Sequence, residues 1–109
     1  MIRYIEVTND SCKICVCMEE DFEDILCEKL EHPTCSYVQE PKICLIENDI
    51  AIDDGLDLNM CIFNLFNQKL FGPVIISKRN RFGEFCSLSE DEAFTLKNKI
   101  MLEENKVER

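Results

Sequence analysis

Three cysteines fall within six residues at "CKICVC", Cys12 to Cys17, and a fourth, Cys35, follows the only histidine, His32, in "HPTC". Cys12 and Cys15, then His32 and Cys35, make a C-x2-C and an H-x2-C pair, a Cys3His set at zinc-like spacing. Thiolates and a neutral imidazole are the donors a tetrahedral zinc site takes. If the strands flanking the intervening helix run parallel, both pairs lie at one end of the sheet. The same residues allow a redox C-x-x-C, or a Cys35–His32 nucleophile for which no third group is identifiable.

The residues between the thiols argue for a plainer reading. A zinc knuckle needs a tight turn, and "CKIC" holds neither Gly nor Pro. Ile14 and Val16 favour an extended strand, which sends Cys12 and Cys15 to opposite faces. Cys15 and Cys17 share a face roughly 6.5 Å apart along the strand, so they are not bridged without distortion. Cys27, Cys44, Cys61 and Cys86 stand among apolar neighbours, as small hydrophobes do. The expectation is that the eight cysteines are reduced packing residues, with no cofactor. The alternative is a structural zinc module using Cys12, Cys15, His32 and Cys35.

Other site chemistry is excluded more directly. The loop "NDIAIDDGLDLN" does not place its acids and glycine at EF-hand positions. Gly55, Gly72 and Gly83 are far apart, and no phosphate-cradling G-x-G or G-K-S/T occurs. No acidic pair is marked as a glycosidase couple. His32 reads as a residue at a helix end, where a cation is favoured.

The elements that position these residues follow from periodicity and punctuation. "IRYIEV" and "KICVCM" read as strands around the turn "TNDS". "EEDFEDILCEKL" is a helix with Phe22, Ile25, Leu26 and Leu30 on one face and Asp21 as N-cap, ended by "HP". "TCSYVQ" and "KICLIE" are strands that can pair as a hairpin. A short buried helix is expected over 57–67, with Asn59 capping it or tying down the loop. "VIISK" is a strand that turns at "RNRFG" into "EFCSL". "SEDE" is a capping box, Ser89 at N-cap and Glu92 at N3, for a helix of about 15 residues. Ala93, Leu96 and Ile100, with Phe94 and Met101, form its apolar stripe. The tail "ENKVER" is expected to fray. The fold class is α+β: a single domain over 1–109, with a mixed or mainly antiparallel sheet, two main helices and one short one, and the helices on one face.

The second half of this pattern resembles a family of small uncharacterised proteins from phages and bacterial mobile elements. The matching residues are Leu56, Leu58 and Asn59, then Gly72 with Val74 to Ile76, then Gly83, then Ser87 to Glu92. In the first half the likeness is in element order only. The family is a domain of unknown function, so the resemblance implies a fold and a mobile-element setting rather than an activity.

Twelve basic residues against 22 acidic ones give a net charge of -10, which repels a polyphosphate backbone and argues against direct nucleic-acid binding. No apolar run approaches the roughly 20 residues that cross a bilayer, and the opening residues do not form a signal peptide. A cytoplasmic location is expected. Acids gather in runs, and Glu19, Glu20, Asp49, Asp53, Asp54 and Asp57 form a candidate interaction surface for a basic partner. Sequence alone therefore favours a small acidic non-enzymatic protein that binds a host or phage protein.

Overall fold

The computed structural model describes residues 1–39 and 43–107. Among these residues, six strands form one antiparallel sheet: β1 (Ile2–Val7), β2 (Cys12–Cys17), β3 (Pro33–Gln39), β4 (Ile43–Asn48), β5 (Val74–Arg79) and the two-residue β6 (Phe85–Cys86). Their order is β2-β1-β5-β4-β3, with β6 paired to the end of β5. Three helices accompany them: α1 (Phe22–Leu30), α2 (Met60–Phe66) and α3 (Glu90–Val107). The chain is the α+β domain its pattern predicts.

Contrary to the expectation from sequence, the helices do not share one face. Residues of α1 pack with Ile2, Tyr4, Cys44, Ile46 and Ile75, while α2 and α3 pack with Ile5, Val7, Leu45, Val74 and Ile76. Neighbouring residues of each central strand thus point into opposite cores, and the molecule has three layers. The cause is legible in composition. "ICLI" and "VII" are unbroken apolar runs, and a strand buried on both faces reads that way. All four residues Ile43–Ile46 and Val74–Ser77 are buried.

Local signals fix the ends of the helices. Ser89 and Glu92 complete the capping box reciprocally, Ser89 N–H to Glu92 Oε1 at 2.9 Å and Glu92 N–H to Ser89 Oγ at 3.0 Å. α3 then runs to Val107, into the segment expected to fray. Ala93 and Ile100 are fully buried, but Phe94 and Met101 are exposed, so the stripe is narrower than expected. Asn59 accepts from the Ile62 N–H at 3.1 Å and caps α2, which is shorter than the expected 57–67. Asp21 stands at the N-cap of α1 but makes no capping hydrogen bond, because a 3-10 turn over Glu19–Asp21 already leads the chain in.

Gly72 has a positive φ of 74°, and a Cβ there would lie 2.7 Å from Leu56 Cδ1. That close approach seats the loop before β5 against the loop before α2, where Leu58 and Phe71 form an isolated antiparallel bridge.

Candidate functional site

β2 places the thiols. Its register puts Cys12 opposite Val7, Cys15 opposite Tyr4 and Cys17 opposite Ile2. Cys12 packs into the α2–α3 core, and Cys15 and Cys17 pack against the α1 core. The strand therefore sends the two cysteines of C-x-x-C to opposite faces, as extended backbone requires. Cys17 is no activated nucleophile: burial, then Asp21 beside it, pushes its thiol pKa up. Tyr4 is pushed up to about 12 by burial, with Cys15 and Cys17 adding to it.

His32 and Cys35 lie on the far edge. β2 and β3 do run the same way, so Cys12 and His32 stand at the same end of the sheet. However, three strands separate β2 from β3, about 19 Å at ordinary strand spacing. The Cys3His set is not assembled. Among the described residues no group of three or more His, Cys, Asp or Glu side chains is placed to hold a metal ion.

The expectation that all eight cysteines are reduced needs a correction. Cys35 and Cys44 are joined by a disulfide across the β3–β4 hairpin, with Cα atoms 6.4 Å apart. Cys35 sits in register with Ile46 and Cys44 with Val38, so the pair is diagonal. A register shift between Cys35 and Tyr37 accompanies it. Sequence spacing alone does not show such a pairing. The other six cysteines carry no disulfide among the described residues.

The six candidate acids divide into two groups. Glu19 and Glu20 follow β2 and lie at the Ile2 end of the sheet; Asp49, Asp53, Asp54 and Asp57 follow β4 and lie at the Val7 end. All six are exposed, but a six-residue strand, about 20 Å long, separates the groups. They are not one surface. The 49–57 segment is a folded turn rather than a ligand loop. Asn48 Oδ1 accepts from the Ile50 N–H at 3.3 Å, and the Leu56 N–H donates to the Ala51 carbonyl at 3.0 Å.

Glu19 and Glu20 instead line a groove of about 450 Å³ with Glu23, Glu84, Phe22 and Phe85, where α1 begins beside the β5–β6 hairpin. A second cavity, about 260 Å³, adjoins it under α1 and shares Glu23 and Phe85; Arg79, Leu26, Cys35 and Ile46 also line it. The Arg79 guanidinium stacks over the Phe85 ring, 4.9 Å from its centre. Arg79 Nε is sealed from solvent without a hydrogen-bond partner, as is Ser77 Oγ. Ser77 and Arg79 alternate with Ile76 and Lys78, so both share the α1 face of β5 with Ile75.

Arg79, Phe85 and Glu23 were missed in the sequence. The signal was the period of "VIISKR". If Ile75 points inward toward α1, so do Ser77 and Arg79, and two polar residues at inward positions ask for partners.

The two sheet edges differ. β3 begins with Pro33 and carries the register shift, both devices that spoil strand addition. β2 pairs with β1 in unbroken register over six residues, and its other side pairs with no described strand. Val16 is 45% exposed, and Met18 just beyond is 50% exposed. Lys13 is the one charged side chain in the strand.

The class these features define is a three-layer, antiparallel α+β domain whose β2 edge, among the described residues, is regular and pairs with no further strand. Comparison with family models, curated proteins and solved structures returns no match for this chain. No helix among the described residues is long and apolar enough to cross a membrane.

Proposed function

We propose that this chain is a small, acidic, cytoplasmic interaction domain without enzymatic activity. It serves a phage or other mobile element by binding a host or phage protein, and it does not bind nucleic acid directly. One observation carries the reading: the outer edge of β2, which pairs with no described strand, with Val16 and Met18 exposed beside it. Such an edge is a template for an added strand, main-chain hydrogen bonds giving affinity and alternate side chains giving specificity.

The flanks specify the partner. Exposed Asp10 precedes β2, and exposed Glu19, Glu20 and Asp21 follow it. With a net charge of -10, the edge favours an extended basic segment and rejects an acidic one.

The test uses isotope-labelled protein at low salt and hexapeptides that alternate lysine with valine, against a glutamate–valine control. The basic peptide is expected to shift the backbone amides of residues 12–17. Added salt, or the gatekeeper substitution Val16→Lys, abolishes the shift while the rest of the spectrum is unchanged. Equal binding of the acidic peptide, or no shift in β2 with the basic one, removes the proposal.

A further inference from the structure

We propose that the 260 Å³ cavity under α1 is a binding site for a small zwitterion, a free α-amino acid with an apolar side chain. This is independent of strand addition at β2.

The charges come first. Arg79 takes part in none of the ion pairs among the described residues, which are Arg3–Glu90, Lys29–Glu6 and Lys78–Glu92. Its Nε is buried and unpartnered. A buried orphan donor on a guanidinium asks for an acceptor, and the planar fork of arginine matches a carboxylate. Phe85 holds the guanidinium by stacking against its face. The other charged group in the lining is Glu23, from the first turn of α1, and it too is in none of those ion pairs. A carboxylate on Arg79 and an ammonium on Glu23 satisfy both.

The remaining wall is mostly apolar, with Leu26, Pro33, Ile46 and Phe85 among its residues and Thr34 as its polar member. It suits an aliphatic or aromatic side chain. The volume lies below the roughly 300–1,000 Å³ of sites for drug-sized ligands, so the occupant is small. Overall charge points the same way. A chain of net charge -10 repels a multiply charged anion, whereas a zwitterion brings no net charge. Ser77 Oγ, the second orphaned atom, lies on the same face of β5, so unmet polar groups concentrate on this side of the sheet.

Titration calorimetry of the purified protein with leucine, methionine and phenylalanine tests the proposal. Decarboxylated leucine (isoamylamine) and N-acetyl-leucine serve as comparators. At least one amino acid is expected to bind saturably below about 10 mM, and both comparators at least tenfold more weakly. Glu23→Gln, an exposed helix position where folding is not at issue, is expected to weaken binding roughly tenfold or more, and Arg79→Gln to abolish it. Arg79→Lys, which keeps the charge but loses the fork, controls for a folding defect and retains partial affinity. Absence of saturable binding by all three amino acids overturns the proposal, as does unchanged affinity in Glu23→Gln. N-acetyl-leucine binding as tightly as leucine overturns it too, since that ligand has no ammonium and mimics a peptide C-terminus.

Discussion

On the α2–α3 face of the sheet, buried polar Asn59 is fully engaged. Its side chain donates to the Val7 and Gly72 carbonyls at 3.0 and 2.9 Å and accepts from Ile62 at 3.1 Å. On the α1 face, Ser77 and Arg79 each bury a polar atom with no partner, and two hollows open on that side, one of them lined by Arg79. The same strands build both faces, so the difference lies in what covers them. Two helices and the loop 67–73 close one side. A single nine-residue helix spans the other, and the β5–β6 hairpin only partly fills the gap it leaves. Closed packing serves stability, and the unfinished face is where a ligand can be held.

Core truncations break this contrast most directly. Ile62 is fully buried in α2, and Ile62→Ala is expected to cost about 4 kcal/mol, because the void it leaves is sealed. Leu26, equally apolar and 3% exposed, lines the cavity. Leu26→Ala only enlarges a hollow that water already reaches, and about 2 kcal/mol is expected, at the low end for such changes. Urea denaturation of both variants measures the pair. Equal costs would mean that both faces are equally closed.

Polar truncations sharpen it. Asn59→Ala strands two backbone carbonyls and one N–H in the core, a loss of about 3 kcal/mol. Ser77→Ala removes a hydroxyl that has no partner, and is expected to change stability by less than about 0.5 kcal/mol or to raise it. The same denaturation experiment decides. A large loss at Ser77 would reveal a bound water or ligand that the free protein retains.

How much of this was legible depended on whether the signal was local. The capping box at Ser89–Glu92, the Asn59 cap and the β5–β6 hairpin are written in consecutive residues, and the structure has them. The extended reading of "CKICVC" also rests on neighbours alone, and the opposite facing of Cys12 and Cys15 follows from it. Strand order is not local. Nothing in the spacing of Cys15 and His32 says that β1, β5 and β4 come between their strands, and zinc-like spacing counts residues rather than ångströms. The Cys35–Cys44 disulfide escaped for the same reason, since it depends on how β3 registers against β4. The division of the acids between two ends of the sheet needed the direction of every strand. The three-layer arrangement was misread, with helices expected on one face, although unbroken apolar runs in β4 and β5 call for cover on both sides.

The smallest effects separate the faces by pH. On the α3 side, the Ser89 backbone N–H and the Lys78 ammonium, 3.0 Å away, hold the Glu92 carboxyl below its ordinary range. A depressed carboxyl contributes stability above its unfolded value of about 4.3, and that contribution is lost as pH falls through the lower folded value. Glu92→Gln keeps an acceptor for the cap but loses the negative charge that faces Lys78. Its deficit in Tm against the parent chain should therefore be full at pH 7 and shrink below about pH 4.3. On the α1 side the sign is reversed. Tyr4 is pushed up to about 12 by burial, while an unfolded tyrosine titrates near 10. Between those values the unfolded chain gives up its proton first, so stability falls as pH rises. Tyr4→Phe removes that slope and should flatten the alkaline limb while leaving the acid limb alone. Thermal melts from pH 3 to pH 11 read both limbs from one protein. A change in the acid limb on substituting Tyr4, or in the alkaline limb on substituting Glu92, would show that the two faces are coupled through the sheet rather than separately built.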